Sequence, residues 1–236
     1  MKITILTLFP DLFNTFLSSS ILGRAAKKGL VEYETVDIRK FGKGKHQVVD
    51  SRPFGGGAGM VLRTDALTQA LNSIISPLPT KNYQLKTILM SASGTPFKQS
   101  KAYKLSKLQH LIIICGHYEG VDQRFIDKYV DEEISIGDYI LTGGEVPAMV
   151  IIDSVVRLIP KVLGTPQALE EESFSTFQLP PSTLQLLEYP QYTRPEKFEG
   201  EKVPEVLLSG NHGEIKKWRL QKALEKTKKI RPDLLK

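Results

Sequence analysis

Short apolar runs alternate with longer helix-like stretches over the first two thirds of the chain. Runs rich in Val and Ile at residues 2–8, 31–38, 86–91, 111–115 and 133–136 predict strands. Helix-like stretches fall between them near 11–17, 21–28, 65–75, 98–105 and 122–129. A long apolar helix is expected over 145–159, opened by the Gly143-Gly144 turn. This alternation predicts an α/β domain around a largely parallel sheet. The run Leu111-Ile112-Ile113-Ile114-Cys115 has no polar position, as expected of a strand covered on both faces.

The pattern breaks at about residue 164. Glu170-Glu171-Glu172 is followed by Ser, Thr, Gln and Pro-Pro with little periodicity, so 164–189 reads as a flexible interdomain linker between a 1–163 domain and a small helical domain over 190–236. A helix is expected near 214–229. On it Arg219, Lys222, Lys226 and Lys229 share one face, which suits either a solvated surface or a phosphate backbone. The net charge is +6, and residues 190–236 hold twelve Lys/Arg against seven Asp/Glu, so most of the excess lies there. Nucleic acid is the natural partner for such a region, although basic charge alone does not demand it.

A single cysteine, Cys115, excludes an intramolecular disulfide and a cysteine-rich metal site, and fits a reducing, cytoplasmic compartment. The apolar start, Met1 to Phe9, stops at Pro10-Asp11. It is too short for a membrane span and has no small-residue cleavage site, so no membrane association is expected.

Three glycine-rich turns could carry chemistry. Asp50 through Met60 has four glycines in five residues, either a hinge or a backbone that approaches a ligand, but it lacks the Gly-Lys-Ser/Thr ending of a phosphate loop. Cys115-Gly116-His117-Tyr118-Glu119-Gly120-Val121-Asp122 follows a buried strand, where open α/β sheets bind ligands. His117 has no second His or Cys at metal spacing and reads as a loop histidine, so no metal site is expected. Glu119 is either solvated or an acceptor for ribose hydroxyls. The third turn, Gly137 to Pro147, frees backbone groups that could read an adenine edge. Asp153 and Arg157 are four apart and could form a local ion pair. Arg157 nevertheless closes an otherwise apolar helix, a place suited to holding negative charge at the domain rim.

In order and spacing these motifs resemble the bacterial tRNA guanine-N1 methyltransferase family, a branch of the knotted SPOUT methyltransferases. The likeness runs through Leu8-Phe9-Pro10, Asp50 to Met60, Cys115 to Asp122, Gly137 to Pro147, Arg157 to Gly164, Tyr192-Thr193-Arg194-Pro195, Leu208-Ser209-Gly210-Asn211-His212 and Trp218-Arg219. The resemblance implies a deep trefoil knot in the sheet's later part, an exception to the rule against knots. It implies S-adenosylmethionine bent among three loops. Positions matching the family's cofactor contacts are Met90 and Ser91 in the first loop, and Gly116, Tyr118 and Glu119 in the second. The third loop supplies Ile136, Gly137, Tyr139, Leu141, Gly143, Gly144 and Pro147.

The same resemblance implies an antiparallel homodimer with shared active sites, and a C-terminal domain that clamps tRNA. Substrate-contacting positions would be Asp50, Gly59, Arg194, His212, Trp218, Arg219, Lys222 and Lys226. The target would be the guanosine immediately 3′ of the anticodon. Its N1 carries a proton at neutral pH, so a carboxylate must remove it while a cation holds the charge growing on O6. Arg157 matches the family's essential arginine, and Glu172 falls where the family pattern has Asp, with Glu171 beside it as an alternative base. Magnesium is often used in the family, although no ligand cluster stands out. Other departures are Ser91-Ala92-Ser93-Gly94 for a Ser-Pro-Gln-Gly-like loop, a longer 174–188 linker and an early C-terminus. Two further functions fit the motifs, a SPOUT ribose methyltransferase and a non-catalytic tRNA-binding protein.

Overall fold

The computed structural model describes residues 1–79, 83–164, 169, 172–174, 176–179 and 182–235. The chain divides into two compact units, Met1–Gly164 and Thr165–Lys236.

The first unit is built on β1 (Lys2–Thr7), β2 (Glu32–Asp37), β3 (Asp50–Ser51), β4 (Val61–Leu62), β5 (Leu85–Pro96), β6 (His110–Cys115) and β7 (Glu132–Ser135). Its helices are α1 (Asp11–Ser18), α2 (Ser20–Lys27), α3 (Thr64–Ile75), α4 (Gln99–Leu105), α5 (Gln123–Tyr129) and α6 (Glu145–Val156). Five strands form one parallel sheet in the order β2-β1-β6-β5-β7. Every residue of β6 is buried, as its unbroken apolar run predicts.

The alternation of the strands sorts the two faces. Leu6, Ile112, Ile114 and Leu89 pack with Leu67, Ala70 and Leu71 of α3 and with Phe125 of α5. The helical period of α3 fits this role, because its buried positions are Ala66, Leu67, Ala70, Leu71 and Ile74. Across the sheet, α6 lies against β6 and contacts α1, α2 and α4. Residues 50–51 and 61–62 pair as a short antiparallel ribbon, β3 with β4, outside the main sheet.

The strand expected over 86–91 is longer and carries an irregularity. Its pairing with β7 slips between Met90 and Thr95, which lifts Ser91 to Gly94 out of the ladder. Beyond the slip, Thr95 returns to β7, where its hydroxyl donates to Glu132 at 2.9 Å. Lys86 donates to the same carboxylate at 2.7 Å, and Lys101 of α4 also donates to it. Glu132 therefore pins the sheet edge to α4.

Of the segment expected as a linker, the described residues from 176 onward are folded into the second unit. Thr176–Leu179 (β8) pairs antiparallel with Ser182–Gln185 (β9). Leu186, Leu187 and Tyr189 are then buried, with Leu186 and Tyr189 clustered around Ala223. Composition hides this because a few apolar residues inside a polar stretch are enough to dock it. The unit continues with a hairpin of β10 (Lys197–Phe198) and β11 (Glu201–Lys202), then α7 (Glu205–Leu208) and α8 (His212–Ile230), so it is not purely helical. The side chain of Asn211 accepts the Glu214 N–H at 3.3 Å and starts α8. Thr227 of α8 accepts the Leu187 N–H at 2.8 Å. No helix among the described residues is long and apolar enough to cross a membrane.

The Glu132 cluster makes the first unit acid-sensitive. Burial opposes its charge, but the bonds from Lys101, Lys86 and Thr95 outweigh that cost and pull its pKa down to about 2. A carboxyl depressed on folding stabilises fully above its ordinary range near 4.5 and loses that contribution as pH falls toward 2. Glu132→Gln should cost about 2 kcal/mol at pH 7 in urea unfolding. The difference from wild type should shrink on acidification, and a constant difference down to pH 3 would refute this role.

Candidate active site

Because β5, β6 and β7 are parallel neighbours, their carboxyl ends open on one edge of the sheet, and the loops that follow meet there. They enclose a cavity of about 530 Å³. The first loop contributes Met90, which is buried, and Ser91, whose hydroxyl lies 2.8 Å from that of Ser93. The second contributes Gly116, Tyr118 and Glu119, with Tyr118 in the left-handed region at φ 59°. The third contributes Ile136, Gly137, Tyr139, Leu141, Gly143 and Gly144, and Pro147 follows from the first turn of α6. The structure thus brings every residue expected at a cofactor site into one cavity.

The second and third loops cross in contact. Gly144 N–H donates to the Gly116 carbonyl at 2.7 Å, and His117 bridges to Gly143. A Cβ on Gly144 would lie 2.7 Å from both the Cys115 Cα and the Gly116 nitrogen, so only glycine permits the crossing. Directly below, Glu145 is buried and accepts a 2.8 Å bond from the Thr7 hydroxyl, which in turn accepts the Phe9 N–H at 2.9 Å. Burial, and then the Glu145 carboxylate, push the Cys115 thiol well up, so it stays protonated and unreactive at neutral pH. His117 packs its ring on Phe9 and Tyr118, at 5.3 and 4.7 Å between centroids.

The glycine-rich 50–60 loop is tied to this rim. Met60 accepts the Glu119 N–H at 2.9 Å, and Leu62 N–H donates to the Gly120 carbonyl at 2.9 Å. At Gly59 the Glu119 carboxyl group occupies the space a side chain would need. Gly59 therefore stands beside the cavity, and Asp50 sits half-buried in β3, opposite Leu62. Thr7 and Glu145 escaped the sequence reading. The available signals were a Thr interrupting an apolar strand and an acid opening an apolar helix.

Arg157 follows α6 and is half-buried, while Glu172 belongs to the second unit and is also half-buried. Glu170 and Glu171 lie outside the described residues. The basic stripe of α8 is less free than its spacing suggests. Arg219 stacks its guanidinium over the Tyr189 ring at 4.7 Å, Lys222 pairs with Glu225 at 2.8 Å, and Lys226 donates to the Glu188 carbonyl at 3.0 Å. Trp218 packs against the unit's core and lies 6.2 Å from the Tyr192 ring, whereas Arg194 and His212 are exposed. Among the described residues, no group of three or more His, Cys, Asp and Glu is placed to hold a metal ion.

A family model described as tRNA (Guanine-1)-methyltransferase TrmD matches residues 1–236. The chain belongs to this family. Proteins named tRNA (guanine-N(1)-)-methyltransferase are similar along nearly their whole length. The one from Ruminiclostridium cellulolyticum is 53% identical over 99% of this chain and 96% of its own. Those from Moorella thermoacetica and Borreliella burgdorferi are 51% and 53% identical, over 100% and 99% of this chain and 90% and 92% of theirs. Family membership gives the cavity a context, and the loop crossing gives it a test. Gly144→Ala should destabilise the first unit by about 1–3 kcal/mol, the cost of overpacking a tight contact. Unchanged urea unfolding would mean that the crossing has slack.

Proposed function

We propose that this chain transfers the methyl group of S-adenosylmethionine to N1 of the guanosine immediately 3′ of the tRNA anticodon. The observation that carries the reading is the convergence, in a member of this family, of all the expected cofactor positions on one cavity. Its volume of about 530 Å³ suits a nucleoside-sized ligand, and the glycine crossing leaves backbone groups facing it. Met90, Leu141 and Pro147 would hold the adenine, and Glu119 would accept the ribose hydroxyls. Bound there, S-adenosylmethionine supplies an electrophilic methyl on a sulfonium.

The chain's own groups act on the guanine. Glu172 takes the N1 proton, and Arg157 holds the negative charge that develops on O6. Glutamate in place of the family's aspartate keeps the carboxylate and lengthens its reach by one methylene. Arg157 and Glu172 belong to different units, and the reading has them meet in an antiparallel homodimer whose sites draw on both subunits. Exposed apolar side chains on α1 and α6, Leu12, Val146 and Val150, favour such an interface. A trefoil knot is part of the same reading, which the family membership suggests. The second unit would bind tRNA, with Arg194, His212 and the basic face of α8 toward the phosphates. The buried free thiol suits the cytoplasm. Among the described residues no cluster fits a magnesium ion, and no step is assigned to one.

Labelled S-adenosylmethionine incubated with tRNA transcripts should transfer label when G stands just 3′ of the anticodon and not when A does. Label that ignores this base would point to ribose methylation and refute the reading. Glu172→Ala and Arg157→Ala should each lower kcat about 10²–10⁴-fold while calorimetric binding of S-adenosylmethionine persists. Undiminished turnover in either variant would remove that residue from its role.

A further inference from the structure

The segment that leads to the glycine-rich loop is basic and largely exposed. Between Ile38 and Val49 there is no acidic residue, while Arg39, Lys40, Lys43, Lys45 and His46 are all present. Lys40, Lys43, Lys45 and His46 are exposed. The backbone holds them in a tight turn, in which Lys43 and Val48 exchange hydrogen bonds of 2.9 and 3.1 Å. Among the described residues none of these lysines has an ion-pair partner, unlike Lys222 in the second unit. The ribbon of β3 and β4 then carries the chain to Phe54.

Phe54 is 98% exposed, the highest value for a large apolar side chain among the described residues. Gly55, Gly56 and Gly57 follow it, all with positive φ and without side chains that could cover the ring. Scattered apolar residues on a surface need no explanation. Here, however, the ring stands in a loop tied to the cavity rim. Gly59 abuts Glu119, and five residues at full stretch span at most about 18 Å, so Phe54 stays close to the site. Unpaired cations that track a backbone, beside an uncovered aromatic face, are the two parts of a single-strand binding surface.

We infer that Phe54 stacks on a base flanking the target guanosine, while Lys43 and Lys45 hold neighbouring phosphates, so that the catalytic unit itself grips the anticodon loop. This rests on the proposed tRNA reading and extends it to residues outside the cavity. Such a grip would hold the loop open at the point where one base must leave the stack to reach a buried cofactor site.

The test uses the full-length protein and an anticodon stem-loop carrying the target guanosine, with wild-type methylation measured first. Absence of wild-type transfer would refute the proposed function, whatever the variants do. Given transfer, Phe54→Ala should weaken stem-loop binding about tenfold, with S-adenosylmethionine binding unchanged. Phe54→Trp should restore affinity and Phe54→Leu should not. In a pair of stem-loops, one abasic on the 5′ side and one on the 3′ side of the target guanosine, Phe54→Ala should cost nothing further in the one that lacks the contacted base. The double variant Lys43→Ala/Lys45→Ala should reduce the slope of log affinity against log salt by about 1.4. Full affinity in Phe54→Ala, rescue by Leu as good as by Trp, undiminished loss with both abasic stem-loops, or an unchanged salt slope would each overturn the inference.

Discussion

One backbone contact organises the catalytic unit, the hydrogen bond from Gly144 N–H to the Gly116 carbonyl at 2.7 Å. It joins the loop leaving β6 to the turn entering α6, and it forms only because Gly144 has no side chain to meet the backbone of Cys115 and Gly116. The surrounding parts follow from that proximity. Glu145 is drawn beneath the crossing into a buried position, where the Thr7 hydroxyl is the partner that makes its burial tolerable. The Cys115 thiol, between them, is held neutral. With those two loops fixed, the first loop, after Met90, closes the cavity because the pairing of β5 with β7 slips and frees four residues.

The sheet edge depends on a charged contact of another kind. Glu132 collects Lys86, Thr95 and Lys101, and so fastens both ends of β5 to β7 and to α4. The slip after Met90 would otherwise leave the far end of β5 unsupported. A polar cluster thus holds the frame from which an irregular ligand loop is hung. Such clusters add little when exposed, but this one is mostly covered, and its depressed carboxyl pKa reflects that.

Charge in this protein is divided between display and construction. In the second unit Arg219, Lys222 and Lys226 hold ring, carboxylate and carbonyl partners of their own unit. In the first unit Lys40, Lys43 and Lys45 have no such partner among the described residues. A net charge of +6 therefore says little about where phosphate can be met until each cation's partner is known.

The sequence by itself determined the elements of the sheet, since β-rich apolar runs and the helical period of segments such as 65–75 are local properties. It also showed the parallel character of the core through the unbroken run before Cys115, and the ordered motifs marked the loops that would face a ligand. Their meeting in a single cavity was legible only through the family resemblance and not from period or composition, because residues 90, 116 and 144 approach only when β6, β5 and β7 pair. Nor was the burial of Leu186 and Tyr189 within a polar stretch, which depends on Ala223 and Thr227 nearly forty residues away. Tertiary structure decided which charges remain free and which glycines are indispensable. Both are matters of distance between chain segments, and composition and period carry no information about such distances.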